Sequence, residues 1–311
     1  MPPELTEDFE FHENGDTDLD YDMIVVYEGL SRPTTVKCPP GNLVYIAGEP
    51  PVSRVYTNSF LKQFNFVISS HTSIKHSGSI LYQQSLPWHF GFDFETRQYR
   101  YRYEDLKKIT AFPKSRKISI IASSKTMMPG HAKRKKFLDE LKAKFGNSID
   151  FYGKGINPVN DKADAIAPYY MSICIENSAI DNYWTEKIAD AYLGLSLPVY
   201  YGCANIDRYF PAESYIRLDI NNHKKAFEQI EYLLVNCEKI YAERITYIEN
   251  ARALLMEKYN IYPSLAKFIK ENNLLKGEYQ VHSLLPNHQF GEYKTRMYKL
   301  RIKRYLQKWF S

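Results

Sequence analysis

A mixed α/β fold built on parallel sheets is predicted by three features of the sequence. Residues 171–202 (MSICIENSAIDNYWTEKIADAYLGLSLPVYYG) run as a short apolar strand, a polar loop, an amphipathic helix and a second apolar strand, the unit from which such folds are assembled. Nearer the N-terminus, apolar stretches at 21–29, 43–47 and 64–69 read as buried strands, the first two closed by Gly and Pro. Residues 117–145 repeat the order strand, loop, helix. A chain of 311 residues can hold two domains and a sizeable core.

In chain order, residues 1–20 carry eight acids and no Lys or Arg and read as a loose acidic lead-in. The strand 21–29 follows, then 43–47, which ends at Gly48-Glu49-Pro50-Pro51. Ligands of open α/β sheets collect at the carboxyl ends of strands, and the two prolines stiffen the loop that carries Glu49. A fixed carboxylate in a cleft suits a general base. The commoner fate of a loop glutamate is to face solvent. A short helical segment, 58–63, leads into the strand 64–69.

The stretch 79–93 is rich in aromatics, with Trp88 and His89 side by side. Trp88 can be a platform for a sugar face or part of a core between domains. His89 has no second His at metal-binding spacing, so it reads as structural or as a hydrogen-bond donor. Residues 95–116 are charged and turn-rich, and the crossing between domains is placed there. A strand at 117–123, a loop at 124–130 and a helix at 131–145 come next. That helix sets Phe137, Leu138 and Leu141 against a basic start, Lys133-Arg134-Lys135-Lys136. A loop entering a basic helix after a strand is the phosphate position of a Rossmann-like unit. A solvated helix face accounts equally for such a run. No GxGxxG occurs, so dinucleotide binding is unsupported. A strand is expected at 148–155, a helix or extended turn at 162–168, and helices at 224–236, 237–258 and 263–273. The tail 292–310 reads as a basic helix with Met297, Leu300, Tyr305 and Trp309 among its apolar positions, suited to an anionic membrane surface.

In the helix of 171–202, Trp184, Ile188, Ala191 and Leu195 form an apolar stripe, and Tyr183, Glu186, Lys187 and Asp190 the opposite face. Asp181 or Asn182 is the expected cap. Free N–H groups at the start, with Lys187 beside them, make an anion site, and a carboxylate and a phenol adjoin it. By periodicity alone, a capped surface helix with a Glu/Lys solvent face is the commoner reading.

Composition narrows the class only in part. Aromatics are 15% of the chain and Tyr numbers 26, which suits sugar stacking as well as cores. The four cysteines, Cys38, Cys174, Cys203 and Cys237, show neither CxxC nor metal spacing and read as buried thiols. The sequence shows no run long enough to span a membrane and no basic-then-apolar leader. The net charge of +5 is uneven: residues 291–311 hold seven Lys or Arg and one Glu. A basic body suits a nucleotide diphosphate, and charge alone would suit nucleic acid as well.

Ile175-Glu176-Asn177-Ser178, then five residues, then Trp184-Thr185-Glu186-Lys187-Ile188, resembles the signature of the α-1,3/4-fucosyltransferases, glycosyltransferase family 10. Leu197-Pro198-Val199-Tyr200-Tyr201-Gly202, Arg208-Tyr209-Phe210-Pro211 and Tyr215-Ile216 follow the same pattern, and a weaker likeness runs from 21 to 268. The resemblance implies the GT-B architecture, two Rossmann-like domains facing across a cleft, here divided as lead-in 1–20, acceptor-side domain 21–105, nucleotide-sugar domain 106–285 and basic tail 286–311. Members usually have a further βα unit before the strand matching 21–29, so a shortened N-terminal domain is expected.

The resemblance further implies inverting transfer of L-fucose from GDP-fucose to a glycan hydroxyl, such as N-acetylglucosamine or glucose of a surface polysaccharide. YIAGE resembles the family element whose glutamate is the proposed base, which selects Glu49. Arg134 matches the arginine set against the diphosphate. Asn177, Tyr183, Glu186 and Lys187 match donor-binding positions, with Glu186 on the ribose hydroxyls. The segment around Trp88 and His89 matches the lining of the cleft on the acceptor side, and 148–155 resembles the element near the purine. No metal or cofactor is implied beyond the donor, and no nucleic acid. The chain looks like the soluble bacterial type, cytoplasmic, with peripheral membrane contact through 292–310. A transferase using another nucleotide sugar, or a non-catalytic relative, is the competing expectation.

Overall fold

Alternation of side chains along one short strand explains most of the first unit. In the computed structural model, which describes residues 8–15, 19–85, 87–122, 129–274 and 277–309, Leu43–Ala47 is buried at every position. Leu43, Tyr45 and Ala47 pack into one apolar cluster, and Val44 and Ile46 into another on the opposite face.

The elements in order are β1 (Ile24–Tyr27), β2 (Thr34–Cys38), β3 (Leu43–Ala47), α1 (Asn58–Leu61), β4 (Phe66–Ser69), β5 (Ser79–Leu81), β6 (Phe92–Asp93), β7 (Gln98–Tyr99) and α2 (Tyr103–Lys108). Then come β8 (Arg116–Ile121), α3 (Pro129–Phe145), β9 (Ile149–Tyr152), a 3₁₀ turn (Lys162–Ala165), β10 (Tyr169–Ile175), α4 (Glu186–Leu193), β11 (Leu197–Tyr201) and β12 (Ile216–Arg217). The chain ends in α5 (His223–Glu257), α6 (Ile261–Asn272), β13 (Gln280–Leu284) and α7 (Glu292–Trp309).

The chain divides into two units, residues up to 85 together with those from 261 onward, and residues 86–260. The division therefore falls at 85/86 rather than in 95–116. The chain also returns to the first unit at 261, where the expectation kept residues to 285 in the nucleotide-sugar domain.

In the first unit, β1, β3, β4 and β5 form a parallel sheet in the order β1-β3-β4-β5. Helix α1 supplies Phe60 to one face, and α6 supplies Leu265, Phe268 and Ile269 to the other. Strand β13 pairs antiparallel with β2, a pair that the sequence did not disclose. The lead-in is not loose where it is described: Phe9 and Phe11 pack on the α6 side of the sheet, and Asp8 pairs with Lys270 at 2.6 Å.

In the second unit, five parallel strands lie in the order β12-β11-β10-β8-β9. Helix α3 connects β8 to β9, and α4 connects β10 to β11, the crossovers a parallel sheet requires. The two helices expected at 224–236 and 237–258 are one, α5, whose backbone leaves helical geometry at Asn236. Both units are thus α/β with a parallel sheet, as the sequence predicts. Among the described residues no helix is long and apolar enough to cross a membrane.

Candidate functional site

Strand β10 ends at Ile175, and its next residue, Glu176, is a carboxylate with 1% of its surface exposed. A buried charge persists only if it is paired and hydrogen-bonded. The Thr185 N–H donates to Glu176 Oε1 at 2.8 Å, the Thr185 hydroxyl lies 2.8 Å from Oε2, and Lys187 Nζ lies 3.2 Å from Oε2. Thr185 is also the N-cap of α4, accepting from the Lys187 N–H. The expected caps, Asp181 and Asn182, are not used. Asn182 has a left-handed backbone (φ 61°) and bonds to Asn205 and Tyr209, which holds the loop before the helix.

Gly202, at the end of β11, completes this nest. A Cβ there would lie 2.4 Å from Glu176 Cγ and 2.4 Å from the Tyr200 hydroxyl. Glycine is needed because the buried glutamate passes against the backbone.

Around the start of α4 lies a cavity of about 220 Å³. Its floor is Ser119, Ile121, Ala122, Ser172, Ile173 and Cys174 from β8, β10 and the residue after β8. Arg134 of α3, Gly153 and Lys154 after β9, Lys162 and Ile166 of the 3₁₀ segment, and Glu186, Lys187 and Asp190 of α4 form its walls. Gly153 (φ 127°) passes so close to β8 that a Cβ would sit 1.8 Å from the Ala122 carbonyl oxygen.

Three largely buried cations face three carboxylates here. Lys187 contacts Glu176 and, at 3.3 Å, Glu186. Lys162 contacts Asp190 at 2.8 Å and Glu186 at 3.8 Å. Arg134 is buried and donates through Nη1 to Asn177 Oδ1 at 2.5 Å. Lys154 adds an exposed positive charge at the rim.

Burial raises the Glu176 carboxyl above its usual range, despite Lys187. Burial acts the same way on Glu186, but Lys187 and Lys162 overcome it and hold Glu186 well below that range. Burial also opposes the charge on Lys187, yet Glu176 and Glu186 keep it well above the usual lysine range, so it remains an ammonium ion. For Arg134 burial prevails and lowers its pKa. Burial, with Lys162 beside it, lowers His89 and keeps the ring neutral near pH 7.

Of the residues expected on the donor side, Arg134, Glu186 and Lys187 line one cavity. Asn177 reaches it through Arg134. Tyr183 is buried (3% exposed) in the loop before α4, outside the cavity lining, close enough to act on the charge of Arg134. Asp190, read as part of a polar helix face, is also buried. Its Oδ1 accepts the N–H groups of His89 and Phe90 at 2.8 and 3.0 Å. The residues expected to contact an acceptor, Trp88 and His89, are half-buried and belong to the second unit, tied to α4 through Asp190. Of the expected phosphate loop at 124–130, residues 124–128 lie outside the described residues, and Pro129 and Gly130 already belong to α3.

Glu49 stands in the first unit, exposed, just beyond β3. Its carbonyl accepts from His71 Nε2 at 2.6 Å. Glu176, Lys162 and the anchoring role of Asp190 were not read from the sequence. Glu176 stands in the motif that carried the family resemblance and Asp190 beside the apolar stripe of its helix, while Lys162 lies in a polar stretch that gave no signal.

Among the described residues no three His, Cys, Asp or Glu side chains are grouped to hold a metal. The arrangement suits binding of a polyanion that also carries hydroxyl groups. The oxygens of such a ligand can take Lys187, Arg134 and Lys162, and Glu186 can accept from hydroxyls.

Residues 112–264 match the model of the glycosyltransferase family 10 (fucosyltransferase) C-terminal region. An alpha-(1,3)-fucosyltransferase, FucT, of Helicobacter pylori is 33% identical over 76 residues, which are 24% of this chain and 16% of that protein. The chain thus aligns with well under two thirds of this curated relative. An alpha1,3-fucosyltransferase crystal structure with GDP-fucose is 17% identical over 85% of this chain and 80% of its own, with a TM-score of 0.49. A glycosyltransferase structure from Rickettsia africae is 13% identical over 76% and 72%, with a TM-score of 0.46.

Proposed function

We propose, on the premise that residues 112–264 belong to glycosyltransferase family 10, that this chain transfers L-fucose from GDP-fucose to a hydroxyl of an acceptor glycan with inversion. The observation that carries the reading is the cavity at the start of α4. Its walls bring together Arg134, Glu186 and Lys187, two of them from the motif that marks the family.

The donor diphosphate takes Lys187 and Arg134 as its partners, and the N-terminal end of α4 favours its charge. Its oxygens then compete with Glu176 and Glu186 for Lys187, and Lys154 stands at the rim of the pocket. Glu186 accepts from ribose hydroxyls. Asn177 holds the Arg134 guanidinium toward the cavity, and Tyr183 backs it.

In the chemical step Glu49 takes the proton of the acceptor hydroxyl. The oxygen forms a bond to the anomeric carbon on the face opposite the diphosphate, the bond to the phosphate oxygen breaks, and GDP leaves. Its growing charge falls on Lys187 and Arg134, so the departure needs stabilisation rather than protonation. Acceptors terminating in N-acetylglucosamine or glucose fit the expectation, with Trp88 and His89 on the acceptor side. The reaction as written calls on no bound metal.

Thermal shift across a panel of nucleotide sugars tests the donor, and GDP-fucose is expected to raise the melting temperature most. Glu49→Gln is expected to cost about 10²–10⁴-fold in kcat with donor affinity unchanged. Full turnover in that variant removes Glu49 from its role, and a larger shift with another nucleotide sugar replaces the donor.

The same proposal extends to a membrane surface. Helix α7 exposes Tyr298 and Ile302 together with Lys294, Lys299 and Arg301, while its other side bonds to the first unit through Glu292–Ser59 and Arg296–Tyr56. Residue 310 and the Trp309 side chain lie outside the described part. Cosedimentation with vesicles containing an anionic lipid, and none with neutral vesicles, is expected.

A further inference from the structure

One largely buried cation of the cavity, Lys162, has no part in the transfer as written. It opens the 3₁₀ turn Lys162–Ala165 between β9 and β10. That turn is firmly held. The Asp161 carboxylate accepts the Ala163 N–H at 2.7 Å and the Gly91 N–H at 2.9 Å, and Ala163 and Ala165 are fully buried. The Lys162 side chain is 16% exposed and ends between two acids of α4, 2.8 Å from Asp190 Oδ2 and 3.8 Å from Glu186 Oε1. Lys187 reaches the same Glu186 oxygen at 3.3 Å. Burial opposes the charge on Glu186, and Lys187 and Lys162 together overcome it.

The two lysines cease to be equivalent once a diphosphate enters. Lys187 is already shared with Glu176, and the phosphate oxygens draw on it further. A Glu186 held by Lys187 alone would then face the diphosphate with its counter-charge withdrawn. A carboxylate so placed in a half-dry cavity takes up a proton or swings away. Either outcome loses the acceptor that meets the ribose hydroxyls. Lys162 is tied to Asp190, and the other oxygen of Asp190 accepts the His89 and Phe90 N–H groups. It therefore stays beside Glu186 while Lys187 turns to the phosphates.

Resting on the reading of Glu186 as the partner of the donor ribose, we infer that Lys162 is a positioning residue. It keeps Glu186 ionised and in place for the ribose hydroxyls after the diphosphate has drawn Lys187 away, and it does not itself contact the phosphates. A carboxylate can thus work beside a diphosphate because its second counter-ion is reserved for it.

The test is isothermal titration of the full chain with GDP and with 2′-deoxy-GDP. The wild type is expected to prefer GDP, and Glu186→Gln to narrow that preference. Lys162→Met is expected to weaken GDP about tenfold or more and to narrow the preference in the same way. Lys162→Arg keeps the charge and is expected to keep the preference. Lys162→Gln removes the charge yet can still donate to Asp190, so it repeats the Lys162→Met result where that variant does not fold. In a Glu186→Gln background, loss of Lys162 is expected to cost under about twofold, because the group it serves is gone. Equal weakening of both nucleotides on loss of Lys162, persisting in the Glu186→Gln background, means that Lys162 contacts the phosphates or only supports the fold, and overturns the inference. An intact preference in Lys162→Met and Lys162→Gln overturns it as well. A wild type without the preference refutes the ribose reading, and one that binds neither nucleotide refutes the donor reading; each takes this inference with it, whereas the two preceding results refute the inference alone.

Discussion

The cavity beside α4 and the carboxyl end of the first sheet hold charge by opposite means. In the cavity, Glu176, Glu186 and Asp190 meet Lys187 and Lys162 in a half-dry space, and each side chain is fixed by its counter-charge. At the first sheet, Glu49 is exposed and its backbone is what is held, by His71 and two prolines. Sensitivity to substitution is therefore of two kinds. Buried pairs make the cavity part of the core, so damage there reads out as stability. An exposed carboxylate on a stiff loop can be lost at little structural expense, so damage there reads out as activity.

The sharpest way to break this contrast is to truncate one carboxylate from each place. Glu176→Ala strands Lys187 and the Thr185 cap, and is expected to cost about 3–5 kcal/mol in chemical denaturation. Glu49→Ala is expected to stay within about 0.5 kcal/mol. Equal costs would mean that Glu49 is as embedded as Glu176, and the contrast would be gone.

Proton linkage gives a second test, inside the cavity itself. The folded-state pKa of Glu176 is raised from 4.5, so the folded protein takes up that proton before the unfolded chain does, and stability rises as pH falls toward 4.5. The folded-state pKa of Glu186 is lowered from the same value, so its contribution is present above pH 4.5 and is lost as pH falls below it. Urea midpoints measured against pH are expected to show both slopes. Glu176→Gln should flatten the upper one and Glu186→Gln the lower one. Reversed assignments would show that Lys187 is shared differently between the two carboxylates.

Much of this was legible in the sequence because the local signals agreed. Strand β3 was read at its observed bounds, since five apolar residues closed by Gly-Glu-Pro-Pro admit little else. The interruption of α5 at Asn236 fell where two separate helices were expected. The start of α4 was misread because capping depends on a partner nine residues away: Thr185 caps only once Glu176 has taken its N–H and hydroxyl. The β2–β13 pair joins residues more than 240 apart, and no local pattern discloses it. Asp190 was placed on a polar face because helical periodicity cannot tell a solvent-facing acid from one that anchors a neighbouring loop. The family likeness read from 175–188 is borne out over 112–264, since a long ordered motif carries information that single positions lack.

The smallest expected effects come from α3, where the same logic applies within four consecutive residues. Lys133, Lys135 and Lys136 are exposed, and Lys135 pairs with Asp139 one turn on. Arg134 points the other way, buried against Asn177 and the cavity. Arg134→Ala is expected to weaken GDP binding at least tenfold, about 1.4 kcal/mol, by isothermal titration. Replacing all three lysines by alanine is expected to change stability by under about 0.5 kcal/mol per residue, because exposed charges are screened and their pairs contribute little. GDP affinity in that triple variant should fall only slightly, and raising the salt concentration should abolish the difference, since any remaining effect is long-range attraction. A salt-resistant loss in the lysine variant, matching that of Arg134→Ala, would mean that the exposed face of α3 also reaches the donor, and the cavity would then be only part of the site.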